Sequence, residues 1–465
     1  SNLTVSGEID LEPDGVLKPG ATARTITLTA NGAASNSLEG SGTATIDLSG
    51  AAHTLNIACE SPGFTGTLTG GTTSIVNYNR SGNQSIMDDA NIDYANLTLS
   101  GSGIKDIDSD LEIVGNLLLD NVTLNASAGS QTLIIEGNLT LQNSSSMTNT
   151  LTNLDLWLDG TNNQVFRGNG ADLAFNDILS FKTSGNITLS NTGGTSNLIS
   201  NNDIVIDLAG GNLTDNGNTL EAGDDIEIGN GGTINLTGTL ELNGSNVAGD
   251  MHLSAENGAS KFPAALNGIT VGNDAFELYP TGGGETFDIN GSVVIENGAT
   301  FDANGNDLNI GGNWTTHSNV DFTETGVDVT FDGGANQTIT SGDSEVFEDL
   351  IVNKPGGNLI LANDVSTSTL TLTNGLVETE AHKITVTSTT ESAISGHGTD
   401  AYVYGNLVRH VSAVNTYDFP IGSASNYELG TIELNTFDGT AITGSFNAAD
   451  PGYSWSTDGV LVDGT

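Results

Sequence analysis

The chain has 465 residues with 57 acidic against 10 basic side chains, a formal charge of −47, so no nucleic-acid partner is expected, because a polyanion repels phosphate. Charged residues are only 14% of the chain and Gly is 61 residues, while uncharged polar residues fill the gap, with about 50 Asn and nearly 60 Thr. Gly plus Pro stays below the roughly 25–30% that marks structureless low-complexity chains, which excludes disorder as the default.

The first elements set the grammar. After Ser1-Asn2-Leu3-Thr4-Val5, which opens in strand pattern without a basic and apolar leader, Thr25-Ile26-Thr27-Leu28-Thr29 alternates with period two, as Thr369-Leu370-Thr371-Leu372-Thr373 does near the other end. No window repeats apolar residues at helical spacing for three turns, and Gly, Asn and Thr penalise helix throughout. An almost entirely β chain is predicted, with Leu97, Leu99, Ile178, Leu350 and Val352 buried. The single cysteine, Cys59, excludes an intrachain disulfide or cysteine zinc site and reads as a small buried hydrophobe. No apolar run of about 18 residues offers a membrane span, so no membrane insertion is expected.

Landmarks then recur. Asn83-Gln84-Ser85-Ile86, Asn163-Gln164-Val165-Phe166 and Asn336-Gln337-Thr338-Ile339 each follow a strand and a short polar turn, and each is followed by an aromatic, Tyr94, Phe175 or Phe347, that opens the next strand. A degenerate copy fits at Leu240–Asn246 with Leu266–Val271, giving a long period of roughly 80–90 residues. Second halves run from Asp110 to Asn121, Asp288 to Asn297 and Asp364 to Asn374, and Gly-Asn steps recur at Gly115-Asn116, Gly137-Asn138 and Gly312-Asn313. Both residue types tolerate left-handed backbone, so these steps read as cheap turns between short strands.

Two architectures fit: a parallel β-helix or β-solenoid of degenerate repeats with roughly 20–25 residues per rung, or tandem immunoglobulin-like sandwiches. Aromatics at 5%, three Trp and eight Pro leave neither sandwich cores nor hinges, which favours the solenoid over residues 1–398, a rod of about 85 Å at some 18 rungs. Residues 399–465 are richer in aromatics, with Tyr402, Tyr404, Tyr417, Phe419, Tyr427, Tyr453 and Trp455, and read as a C-terminal β cap or sandwich-like element. The sequence stops without a closing signal and reads as a processed segment that continues.

The Gly-Asn-Leu-Thr-Leu strands, the Asn-Gln-Thr-Ile step at 336–339, Phe347-Glu348-Asp349-Leu350-Ile351-Val352 and the late Phe419-Pro420-Ile421-Gly422 with Tyr427 beyond are similar to large secreted β-repeat proteins of gliding bacteria, of the kind exported by the type IX secretion system. The resemblance implies an extracellular or cell-surface location and adhesin-like or surface-fibre regions.

The sharpest chemical candidate is Asp106-Ile107-Asp108-Ser109-Asp110-Leu111-Glu112. On one strand, Asp106, Asp108, Asp110 and Glu112 would share a face, and adjacent carboxylates call for a screening cation, with calcium the ion that suits them. Asp302–Asp307 resembles a calcium loop without its glycine, and Glu378, Glu380 and His382 alternate as a metal set would, although the segment also reads as an ordinary turn. The remaining histidines show no zinc spacing, and no Gly-x-Ser-x-Gly elbow occurs. Only four Arg are present, Arg24, Arg80, Arg167 and Arg409, none within an acidic cluster, which argues against a polysaccharide lyase or hydrolase. Thr-x-Thr intervals are too uneven for a regular ice-binding face. The expected function is therefore an extracellular structural or adhesive rod or filament subunit without covalent chemistry, its partners being further copies end to end or cell-surface and matrix components. A carbohydrate-binding or polysaccharide-cleaving β-helix is the alternative, and an ice-binding solenoid a minor one.

Overall fold

The computed structural model describes residues 1–29, 38–88, 90–182, 184–190, 194, 197–207, 211–223, 226–228, 233–235, 240–242, 251–255, 269–271, 275–279, 284, 286–412, 415–435 and 439–446. Their regular secondary structure is almost entirely β-strand. One helical turn at Thr150–Asn153 and a 3-10 turn at Glu391–Ala393 are the exceptions among the described residues. The chain divides into two compact units, one dominated by residues 1–241 and the other by residues 264–465.

In the first unit most strands pair in parallel with the third strand after them, so three strands complete one turn of a β-solenoid. Leu3–Val5 pairs with Thr25–Leu28, that strand with Thr54–Ile57, and the ladder continues through Ile75–Tyr78, Leu97–Leu99, Leu117–Asp120 and Leu139–Gln142. This face accumulates eleven strands. A second face runs from Leu111–Ile113 through Gln131–Ile135, Leu154–Leu158, Ile178–Phe181 and Ile204–Asp207 to Ile226–Ile228.

Period-two alternation gives each short strand one inward row, and the parallel register stacks like on like. Ile26, Leu55, Val76, Leu97, Leu117 and Leu139 form one buried column, and Leu28, Ile57, Tyr78 and Leu99 the next. Burying such a side chain is worth about 1.5–3 kcal/mol, so the core is continuous although each coil contributes few residues. Leu97, Leu99, Ile178, Leu350, Val352 and Cys59 are all buried, as expected.

The Gly-Asn steps work differently from the turns expected of them. None of Gly115, Gly137 and Gly312 has the left-handed backbone. Their need is space: a Cβ on Gly115 would lie 2.2 Å from the Ala95 carbonyl oxygen, and one on Gly137 would lie 2.4 Å from that of Gly115. The asparagine that follows reaches across the gap between coils. Asn96 Oδ1 accepts the Asn116 N–H at 3.0 Å, Asn116 Oδ1 the Asn138 N–H at 2.9 Å, and Asn138 Oδ1 the Val165 N–H at 2.7 Å. Glycine lets the coils approach and asparagine ties them. Gly115→Ala should therefore destabilise by about 2–3 kcal/mol, as overpacking against rigid backbone does; an unchanged midpoint in chemical denaturation would contradict this.

In the second unit Ile269–Val271, Val293–Ile295, Trp314–Thr316, Gln337–Ser341 and Leu359–Leu361 make one parallel ladder. Thr286–Ile289, Asp307–Ile310, Asp328–Phe331, Glu345–Asn353 and Val365–Asn374 make another. The last two of these strands have nine and ten residues. An aromatic cluster fills this interior, with Trp314 against Phe322 at 5.0 Å and Phe347 at 5.5 Å between ring centres. Antiparallel pairing enters in residues 403–445, although Val403 and Tyr404 still pair in parallel with Ile421 and Gly422. There Val403–His410 pairs antiparallel with Ala441–Ser445, and Asn415–Gly422 pairs antiparallel with Tyr427–Leu434.

Candidate functional site

The Asn-Gln landmarks mark buried corners where a strand begins. Gln84 Nε2 donates to the carbonyls of Ile57 and Cys59, both at 2.8 Å, and its Oε1 accepts from Lys105 Nζ at 2.9 Å and from Arg80 N at 3.2 Å. Gln337 repeats the pattern. Its Nε2 donates to the carbonyls of Ile310, at 2.7 Å, and Gly312, and its Oε1 accepts from Gly333 N at 2.8 Å and Lys354 Nζ at 2.6 Å. At the third corner Gln164 Nε2 donates to Ile135 and Gly137, while Lys182 Nζ reaches the carbonyls of Asp159 and Asn162 at 3.2 and 2.9 Å. Here the amide and the ammonium do not meet, and Gln164 Oε1 is buried without a partner.

Each glutamine thus binds carbonyls of the preceding coil, and in two corners it also receives a lysine from the following one. Lys105, Lys182 and Lys354 are half of the six lysines in the sequence, and all three are at most 1% exposed. Burial, reinforced by the Arg80 charge, pushes the Lys105 ammonium down to about 8; burial brings Lys354 to about 8 against the opposing pull of Asp332, and Lys182 also down. A lysine of lowered pKa is a familiar nucleophile. These ammonium groups instead point into backbone carbonyls inside the stack. Two surface depressions, one lined by Thr67–Thr69, Asn91–Asp93 and Glu112 and one by Thr140–Asn143 and Arg167–Asn169, do not include these lysines.

The lysines fix a pH response. A group with a folded pKa near 8 and an unfolded value near 10.4 binds more protons when unfolded across that window, so stability rises with pH there. The buried hydroxyls of Tyr78 and Tyr94 are pushed up by burial, which reverses the sign above pH of about 10, where unfolded tyrosines ionise. At constant high salt the melting temperature should climb between pH of about 7.5 and 9.5 and then fall. A flat profile, or one unchanged by Lys105→Met with Lys354→Met, would contradict the assignment.

The acidic run at 106–112 is not one strand. Asp106 belongs to Ile104–Ile107 on one sheet and Glu112 to Leu111–Ile113 on another, with Asp108 and Asp110 at the corner between. Alternation within a single strand fails at a solenoid corner, so the expected common face of four carboxylates does not form. Asp106 accepts from Asn125 Nδ2 and Asp110 Oδ1 from Thr132 N at 2.8 Å. Asp88, absent from the sequence reading, holds this corner: its Oδ2 accepts the N–H groups of Asp108 and Ser109 at 2.7 and 2.9 Å, and burial raises its carboxyl.

Asp302–Asp307 is a tight turn, with Asn304 and Gly305 at positive φ and Asp302 Oδ1 accepting Asn304 N at 2.8 Å. Glu378, Glu380 and His382 do not converge, because the strand shifts register between Glu378 and Lys383 and Glu380 takes φ of 48°. The copy at 240–271 lies largely outside the described residues. Among the described residues no three His, Cys, Asp or Glu side chains are grouped to hold a metal ion.

Two other arrangements carry polar chemistry. Glu345, 5% exposed, accepts from Trp314 Nε1 at 3.1 Å and Thr316 Oγ1 at 2.8 Å, and burial raises its carboxyl. In the C-terminal element His397 Nδ1 lies 2.9 Å from the Tyr427 hydroxyl and its Nε2 lies 3.8 Å from Asp418 Oδ2. Tyr427 is not activated by this relay, since burial and the Asp418 charge push its hydroxyl up. With these geometries established, comparison with known protein families, curated proteins and solved structures returns no match.

Proposed function

We propose that the chain is a structural or adhesive subunit of the cell exterior that performs no covalent chemistry and associates end to end. One observation carries this reading: the conspicuous polar groups, the Gln–Lys corners and the asparagine ladder, bond to neighbouring coils rather than to an open cleft. A β-solenoid is well suited to the task, since coil-on-coil contacts repeat and length scales with coil number. The charge of −47 supports solubility and discourages lateral association. The extracellular placement rests on the sequence resemblance.

Electron microscopy of the native material tests the proposal together with a reducing-sugar assay on a panel of neutral and acidic polysaccharides. Filaments or fibrils with no sugar release are expected. Catalytic release of sugar ends, or isolated particles at every concentration, would overturn it.

A further inference from the structure

The sheet built on Gln131–Ile135, Leu154–Leu158, Ile178–Phe181 and Ile204–Asp207 turns an apolar row outward. Ile134, Trp157, Leu179 and Val205 are Cα partners in four successive coils, with Trp157 38% exposed and the other three half-buried. This differs from the neighbouring eleven-stranded face, whose outward row reads Thr4, Thr27, Asn56, Asn77, Thr98, Leu118 and Thr140. The inward row of the same strands, Leu133, Leu156, Ile178 and Ile204, is fully buried, so the apolar row is a second one on the outer side of the sheet.

Carboxylates border the row. Asp110, Asp155 and Asp177 lie toward the strand starts, Glu136 and Asp159 at the strand ends, and Glu112 is the Cα partner of Ile134 that closes the row. The rim is already under stress, because desolvation raises the Glu136 carboxyl and the charges of Asp159 and Glu112 raise it further.

We propose that this stripe docks a basic amphipathic helix of another protein, with apolar side chains on Ile134, Trp157, Leu179 and Val205 and Lys or Arg on the acidic rims. Coils spaced about 4.8 Å apart give a four-residue row of about 14 Å, close to the span of two to three helical turns at 5.4 Å per turn. The row is one residue wide, which matches a helix seam. Three of its four members are aliphatic and offer no hydrogen bond to a sugar. A second copy would bring identical acidic rims together, which costs several kcal/mol. This inference concerns a lateral face and does not depend on the structural-subunit reading: failure of docking leaves filament formation untouched, and the reverse.

The probe is a labelled helical peptide of about 14 residues with a leucine seam and lysine flanks, titrated against the full chain by fluorescence anisotropy in about 0.3 M sodium chloride, where bulk attraction to the acidic surface is screened. Saturable binding is expected, weakened about tenfold or more by Trp157→Asp, as loss of a central aromatic anchor does, and to a lesser degree by Glu136→Gln. Leu179→Thr, a milder strand-compatible change, should also weaken binding and serves if Trp157→Asp does not fold. A shuffled peptide of equal composition without the seam should bind no more tightly to the native chain than the seam peptide binds to Trp157→Asp. Equal affinity for both peptides would show charge attraction alone and overturn the proposal. So would Trp157-dependent displacement by an amino-sugar oligomer, or self-association abolished by Trp157→Asp.

Discussion

Gln337→Ala is expected to destabilise the second unit by about 3–5 kcal/mol, since orphaned buried hydrogen-bonding groups cost about 1–3 kcal/mol each and are not fully additive. The substitution removes both amide functions from the corner. The carbonyls of Ile310 and Gly312, Gly333 N–H and Lys354 Nζ lose their partner together, and Lys354 keeps only the Gly333 carbonyl among its two bonds there. Lys354→Met in the same background should recover part of the loss, because it withdraws the buried ammonium that the glutamine supports. Denaturant midpoints for the single and double variants check this; strictly additive losses would deny the coupling.

Arg409→Met should cost a similar amount, about 3–5 kcal/mol, in the C-terminal element. Arg409 is fully buried, with its guanidinium 5.0 Å above the Tyr417 ring. NH1 donates to the Asp418 carbonyl at 2.8 Å, and NH2 to the carbonyls of Thr390 and Glu391 at 2.7 and 2.5 Å. Replacing a buried ion pair wholesale with hydrophobes can be neutral, but these acceptors are backbone and remain behind unpaired. Lysine presents a single point charge in place of the planar fork, so Arg409→Lys should restore only part of the stability. Thermal unfolding that leaves this element as stable as in the native chain would refute the role given to the Arg409 guanidinium.

The alternation of Thr25–Thr29 and Thr369–Thr373 made the strands and their buried positions legible in the sequence, because a two-residue period has only two faces to choose between. The Asn-Gln landmarks were also visible, yet half of each corner was not. Lys105, Lys182 and Lys354 follow their glutamines by 21, 18 and 17 residues, a recurring offset that could have been found. Lysine is normally solvated, which hides a buried one from residue-type reasoning.

The repeat itself misled in one respect. Gln84 opens the strand Gln84–Ser85 and Gln164 the strand Gln164–Arg167, which belong to different sheets. Eleven strands on, with three per turn, the motif has advanced by three turns and two thirds and returns on another face. The acidic run failed for a related reason: nothing local distinguishes a continuing strand at Asp108–Asp110 from a corner. The apolar row Ile134, Trp157, Leu179 and Val205 is invisible without register, since its members are 22 to 26 residues apart.

Spin labels at Thr4 and Leu118 test the parallel coil stack most directly. They face outward on one sheet and are linked through Thr27, Asn56, Asn77 and Thr98 by five steps of register, so pulsed electron resonance should give a single narrow distance of about 24 Å between their backbones, five spacings of 4.8 Å or so. Cys59 is buried and can be replaced by alanine to keep the labels unique. Tandem sandwiches of roughly 80–90 residues would put the two sites in successive domains, and a distance beyond about 35 Å, or a broad distribution, would contradict the solenoid.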